Sequence, residues 1–209
     1  MKSSYKRTKK GVITMAVTKK ERRNKMLIVV IGTILLVVLY FYFTNKESKK
    51  AEESALSEQV EKIIGSDIEM DYPSSPREVI ILFNNIMTCS FKENLDDDTL
   101  KKIISQERVL FDQELLDNNP LESQLADLKE EILDYKKAKR TIVTSAVDKS
   151  SSAEYWSKDD KDYASIVASY TLKDSEVAKT YERYILRKDE QDKWRILGWQ
   201  IATPIDLDK

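Results

Sequence analysis

Few residues in this chain can do covalent chemistry. Histidine is absent and there is one cysteine, Cys89. Imidazole general bases, Ser-His-Asp and Cys-His nucleophiles and His-ligated zinc or iron are thereby excluded together. A lone cysteine forms no internal disulfide, and Cys89 reads as a small apolar residue on a helix face. The densest carboxylate group is Asp96, Asp97 and Asp98. A calcium loop alternates its oxygen ligands and turns on a glycine, and neither is present. The three aspartates read instead as a helix N-cap with favourable charge at the positive helix end. No catalytic, metal or cofactor site is nominated, and the expectation is a non-enzymatic protein.

What remains is binding chemistry, concentrated on aromatic residues. In the run Lys193–Thr203, strict alternation places Trp194, Ile196 and Gly198 on one face. With Phe83, Tyr170 and Tyr184 they are expected to fill a core or line an apolar pocket. Arg195, Leu197, Trp199 and Ile201 fall on the other face. A sheet with one face in water alternates apolar with polar. Here both faces carry apolar residues, so a partner protein, a second copy or another part of the chain is expected to cover Trp199.

The elements that position these residues can be read in order. Ser75-Pro76-Arg77-Glu78 combines a serine N-cap, proline at the first helical position and glutamate at the third. It opens a helix burying Val79, Leu82, Phe83, Ile86 and Met87. A short helix with Leu100, Ile103 and Ile104 follows, then another helical patch at residues 107–117. From Pro120 a longer helix carries Leu121, Leu125, Leu128, Ile132 and Tyr135. After Lys139 the apolar period changes from 3.6 to 2. Strands are expected at Arg140–Asp148, Tyr163–Lys173, Ala178–Lys188 and Lys193–Thr203. Asp189-Glu190-Gln191-Asp192 makes a tight antiparallel hairpin, and Pro204 closes the sheet. Residues 149–162 read as a polar loop in which Tyr155 and Trp156 form a short strand or a flap. Helices followed by an antiparallel meander make an α+β domain, with helices packed on one face of a curved sheet.

Ahead of this domain, Met26–Thr44 is an uncharged run with one glycine and no proline. As a helix it would reach roughly 28 Å, the thickness of a bilayer's hydrocarbon core. Residues 1–25 hold ten Lys or Arg and one acid, whereas residues 45–209 hold 25 bases and 35 acids. Basic flanks stay in the cytoplasm, so the expectation is an N-inside, single-pass anchor with the acidic part outside the cell. The run is longer than a signal-peptide core, and no small-x-small site follows it. Met15 begins MAVTKKERRNK, a second possible start that keeps five of the bases. The expected organisation is a basic tail (1–25), a transmembrane helix (26–44), a charged helical tether (45–74) and the domain (75–209).

Pro76, Val79 and Phe83 at the opening helix, and Asp192, Trp194 and Ile196 on the closing strand, make the order of elements resemble the nuclear transport factor 2-like (NTF2-like) cone. The resemblance covers residues 75–203. Membrane-anchored bacterial envelope proteins look like this, as does the inner-membrane assembly factor of type IV secretion systems. It implies a cone able to enclose a pocket and association through the sheet. No position matches the acid/base residues of NTF2-like enzymes. The acidic domain is a poor match for nucleic acid. The function expected is a membrane-anchored, extracytoplasmic protein-binding or assembly module of the bacterial cell envelope, with a homodimer through the sheet as the first partner. The alternatives are a conjugation or secretion subunit and a small-molecule-binding or hydrolytic cone.

Overall fold

The computed structural model describes residues 37, 40–42, 44, 57–92 and 95–202. The chain divides into two units, Met1–Glu53 and Ser54–Lys209. The basic tail, most of the Met26–Thr44 stretch, the first part of the tether and Pro204 lie outside the described residues. Among the described residues no helix is long and apolar enough to cross a membrane. Those of the apolar stretch that are described (Val37, Tyr40, Phe41, Tyr42 and Thr44) are helical.

The second unit is α+β, with helices packed on an antiparallel sheet. Its helices are α1 (residues 57–65), α2 (Pro76–Lys92), α3 (Asp97–Arg108), α4 (Gln113–Asn118) and α5 (Leu121–Ala138). The strands are β1 (Thr141–Val147), β2 (Glu154–Lys158), β3 (Lys161–Lys173), β4 (Val177–Lys188) and β5 (Trp194–Ile201). Local chemistry sets the boundaries. Ser75 Oγ accepts from the Glu78 amide, one of the first donors of α2, and the Glu78 carboxylate accepts in turn from the Ser74 amide ahead of the helix. Asp96 accepts from the Thr99 amide at 2.8 Å and starts α3. Lys139 adopts φ 52°, the left-handed stop at the end of α5.

The sheet order is β1-β3-β4-β5, and β2 pairs with the same edge of β3 as β1. Asp159 and Asp160, at φ 52° and 59°, close the β2–β3 hairpin. Consecutive positive φ angles are what a two-residue turn needs to match strand twist. The segment expected as a polar loop therefore contains a paired strand. At the β4–β5 turn Asp189 accepts from the amides of Gln191 and Lys193, both at 2.9 Å.

Two findings correct the sequence reading. First, the tether does not run to residue 74. Val60, Ile63 and Ile68 are buried in the main core with Val79, Ile80 and Phe83. Gln106 Nε2 donates to the carbonyls of Ile64 and Ser66, and Tyr72 Oη donates to the Trp194 carbonyl at 2.7 Å. The folded unit thus includes α1 and the turn after it. The stretch reads as a charged tether because the residues that cover Val60, Ile63 and Ile68 lie far away in sequence.

Second, the faces of β5 do not alternate strictly. Leu186 pairs with Ile196, but Ile185 pairs with Gly198, so the register shifts across Leu197. One extra residue in a strand reverses the facing of everything after it. Tyr184 pairs with Trp199 and Leu186 with Ile196, so Trp199 shares the inner face with Ile196, not the outer face with Arg195. A comparable shift between Ile142 and Thr144 interrupts β1. Bulges bend strands and raise local twist, and here they occur on strands at both sides of the sheet.

Candidate functional site

A cavity of about 300 Å³ opens between the inner face of the sheet and helices α2, α3 and α5. Each element contributes by its own periodicity. On β4, alternation aligns Thr180, Glu182 and Tyr184 toward the cavity, and on β3 Tyr170 and Leu172. On α5 the spacing Gln124, Leu128, Glu131, Tyr135 makes one lining face. On α3 the buried stripe Leu100, Ile103, Ile104 continues into Glu107. The Leu197 shift delivers Trp199.

Four aromatic rings form one wall. Phe83 lies 5.6 Å from Tyr184 and 5.7 Å from Trp199, centroid to centroid. Trp199 lies 5.8 Å from Tyr184 and 6.2 Å from Phe111. Phe91 and Tyr135, 4.7 Å apart, extend the apolar lining. Trp199 remains 44% exposed, so its ring is partly open to solvent.

The polar side is acidic. Glu107, Asp127, Glu131 and Glu182 line the cavity, and among the described residues no Lys or Arg does. Glu107 is buried and accepts from Gln124 Nε2 at 3.1 Å. Burial pushes its carboxyl up to about 8, opposed by nearby Arg108 and reinforced by Glu131. Glu131 is raised by desolvation and by the charge of Glu182. Desolvation also raises Glu182, against the hydrogen bond from Tyr184.

Glu182 ends a buried polar chain. Its Oε2 lies 2.6 Å from Tyr184 Oη, which is 2.6 Å from Tyr170 Oη, which is 2.6 Å from the Asn84 amide. Two hydroxyl protons cannot serve three such contacts. With Tyr170 donating to Asn84 Oδ1, the third proton must come from a protonated Glu182. With the amide turned over, Asn84 Nδ2 donates to Tyr170, Tyr170 to Tyr184, and Tyr184 to an ionised Glu182. The turned amide also pairs Nδ2, which otherwise has no partner. The chain can therefore reverse its polarity with the charge on Glu182. Burial raises both tyrosine hydroxyls well above their ordinary value, so they stay protonated.

Of the residues expected to line a pocket or core, Phe83, Tyr170 and Tyr184 line the cavity. Trp194 and Ile196 are buried in the core beside it. Of those expected on an interface, Trp199 lines the cavity. Leu197 sits at the register shift, half-buried, and Ile201 is 82% exposed. Arg195 is engaged within the fold. It donates to Asp189 at 2.7 Å, to Glu69 at 2.8 Å and to the Val109 carbonyl, and its guanidinium lies over the Tyr72 ring at 4.4 Å. Sequence reasoning missed Glu107, Glu131 and Glu182. The signal for Glu107 and Glu182 was an acid standing where an inward-facing series would continue; Glu131 lies beside the apolar stripe of α5 and gave no such signal.

Among the described residues, no three of Cys, Asp and Glu come together closely enough to hold a metal ion. Comparison with curated proteins returned no match. One family model matches residues 15–199, a range that takes in the apolar stretch, α1 and the domain through Trp199. On that match, the chain belongs to the family described as Domain of unknown function (DUF6715).

Proposed function

We propose that this protein is a single-pass envelope protein, N-terminus inside, whose extracytoplasmic domain is an NTF2-like cone that binds a small organic ligand without turning it over. The observation that carries this reading is the cavity. At about 300 Å³, it joins an aromatic wall to convergent carboxyls, the combination expected of a ligand pocket. The basic flank of residues 1–25 supports the orientation. The order of helices and strands supports the resemblance to the cone. The acidic domain gives nucleic acid no favourable surface.

Native mass spectrometry on the full chain, purified from membranes, tests the reading. The expected result is a bound small molecule on the wild type that is absent from Thr180→Trp, which places an indole in the cavity. Equal occupancy in the two proteins would place the ligand elsewhere. A reporter active only outside the cytoplasm, fused after Lys209, tests the orientation. Reporter activity confined to the cytoplasm would overturn it.

A second reading, protein binding through the sheet, rests on a different observation. The first half of β5 is covered by a parallel bridge from Phe111 to Ile196. Among the described residues, no strand pairs with the outer edge of residues 198–201. An open edge beside Trp199 and Ile201 suits a second copy or an added strand. Sedimentation as a monomer at all concentrations would remove the homodimer.

A further inference from the structure

We infer that the occupant of the cavity is an organic cation, an ammonium group carried on an apolar body. This deepens the ligand-binding reading and rests on it. Four carboxyl side chains from α3, α5 and β4 meet in one cavity, whose lining holds no base among the described residues. Cations on the elements that build the cavity are already engaged. Arg108 donates to the Asn119 carbonyl at 2.6 Å and to Gln124 Oε1 at 2.8 Å. Lys129 pairs with Asp97 at 2.7 Å. Arg140 pairs with Asp174 and lies over the Tyr135 ring at 5.5 Å. Arg108 acts on Glu107 only through its charge and through Gln124, which both side chains share, and among the described residues no cation offsets the raised Glu131 and Glu182, an arrangement that costs stability in proportion to their ionisation.

The opposite wall supplies what an ammonium recognises. Faces of Trp, Tyr and Phe attract a cation through the ring quadrupole, most strongly where water is excluded. Phe83, Phe111, Tyr184 and Trp199 present four rings, each within 6.2 Å of at least two of the others. An inorganic divalent ion would need three or more carboxylates converging on one point, which the described residues do not provide. A diffuse ammonium requires only carboxylates at intermediate range and apolar contact around it. The anionic and neutral ligand classes are disfavoured, the first by charge and the second because it would leave the acids unpaired.

The groups facing these carboxyls are Arg108 from α3, Asp127 and Tyr135 from α5, Tyr170 from β3, Tyr184 from β4 and Asn84 from α2. Because burial raises the Glu107 carboxyl to about 8, a bound cation must draw a proton off it; Glu131 and Glu182 are raised in the same direction. Affinity for the cation therefore rises with pH and protons are released on binding.

Titration calorimetry on the full chain in maltoside micelles tests this with three probes of similar body: benzyltrimethylammonium, 3-phenylpropan-1-ol and 3-phenylpropionate. Micelles alone serve as the blank. At pH 8 the cation should bind at least tenfold tighter than the alcohol, and the carboxylate weakest. From pH 6 to 8 the cation's affinity should rise several-fold while the alcohol's stays level. Glu131→Gln, at the cavity's exposed rim, should weaken the cation about threefold without changing the alcohol. The double variant with Glu182→Gln should weaken it about tenfold. If alcohol and cation bind equally, the cation inference falls and the ligand-binding reading stands. If the carboxylate binds tightest, the inference is overturned in sign. If none of the three binds the wild type at millimolar concentration, both readings fall.

Discussion

Replacing Glu107 by Gln isolates the electrostatic cost of the cavity. In the fold its carboxyl is raised from 4.5 to about 8 by burial. At about 1.36 kcal/mol per pH unit, ionising it in place costs at most about 5 kcal/mol, and relaxation and cavity water reduce that to roughly 2–3 kcal/mol. The sign follows from linkage. The protonated acid is favoured in the fold, so its stabilising contribution is complete below the unfolded pKa near 4.5 and is lost as pH rises through about 8. Glu131 and Glu182 are raised too and act in the same direction. Glu69, held down to about 2 by the hydrogen bonds from Arg195 and Lys193, acts oppositely but only below the ordinary carboxylate range. Histidine is absent, so no imidazole titrates between pH 5 and 8 to mask the effect. The melting temperature of the full chain should fall by roughly 5–10 °C between pH 5 and pH 8. Glu107→Gln keeps the oxygen that accepts from Gln124. It should flatten most of this slope and melt higher than wild type at pH 8. A wild-type melting temperature that is level or rising over this range, or a Gln variant with the full slope, would refute the reasoning.

Three further outcomes follow from the packing. Trp194→Ala should cost about 3–5 kcal/mol, as large core truncations do, because Trp194 is buried. Trp199→Ala should cost about 1–2 kcal/mol yet abolish probe binding; paired melts and titrations separate the two. Asp112→Ala should cost about 3–5 kcal/mol. It strips a buried acceptor that takes two hydrogen bonds from Arg187 and caps α4 through the Glu114 amide. A double-mutant cycle in denaturant with Arg187→Met should recover part of that loss. A fragment of residues 54–209 should fold cooperatively by circular dichroism and resist proteolysis. A fragment of residues 73–209 should not, because losing Val60, Ile63 and Ile68 at about 1.5–3 kcal/mol each exhausts a typical stability margin.

The architecture was legible wherever local periodicity and packing agreed. The strands after Lys139 show a period of two, α5 carries an unbroken apolar stripe, and Ser75-Pro76 and Asp96 announce helix starts through groups that cap in the structure. The site was less legible, for two physical reasons. The facing of Trp199 depends on a one-residue slip at Leu197, and alternation carries no mark of a slip. The convergence of Glu107, Glu131 and Glu182 depends on three elements meeting over one cavity, so each looked like an ordinary surface acid in its own helix or strand. Likewise, α1 looked solvated because what covers it arrives from helices and strands far along the chain.

The central claim is that the inner face of the sheet, not its outer face, receives a small molecule. Amide and indole chemical-shift mapping by NMR on residues 54–209, titrated with benzyltrimethylammonium, tests it most directly. The account predicts that shifts cluster at Tyr170, Thr180, Glu182 and the Trp199 indole N–H, and saturate together. Shifts confined to the outer face around Arg187, Arg195 and Trp156, or spread without saturation, would contradict it.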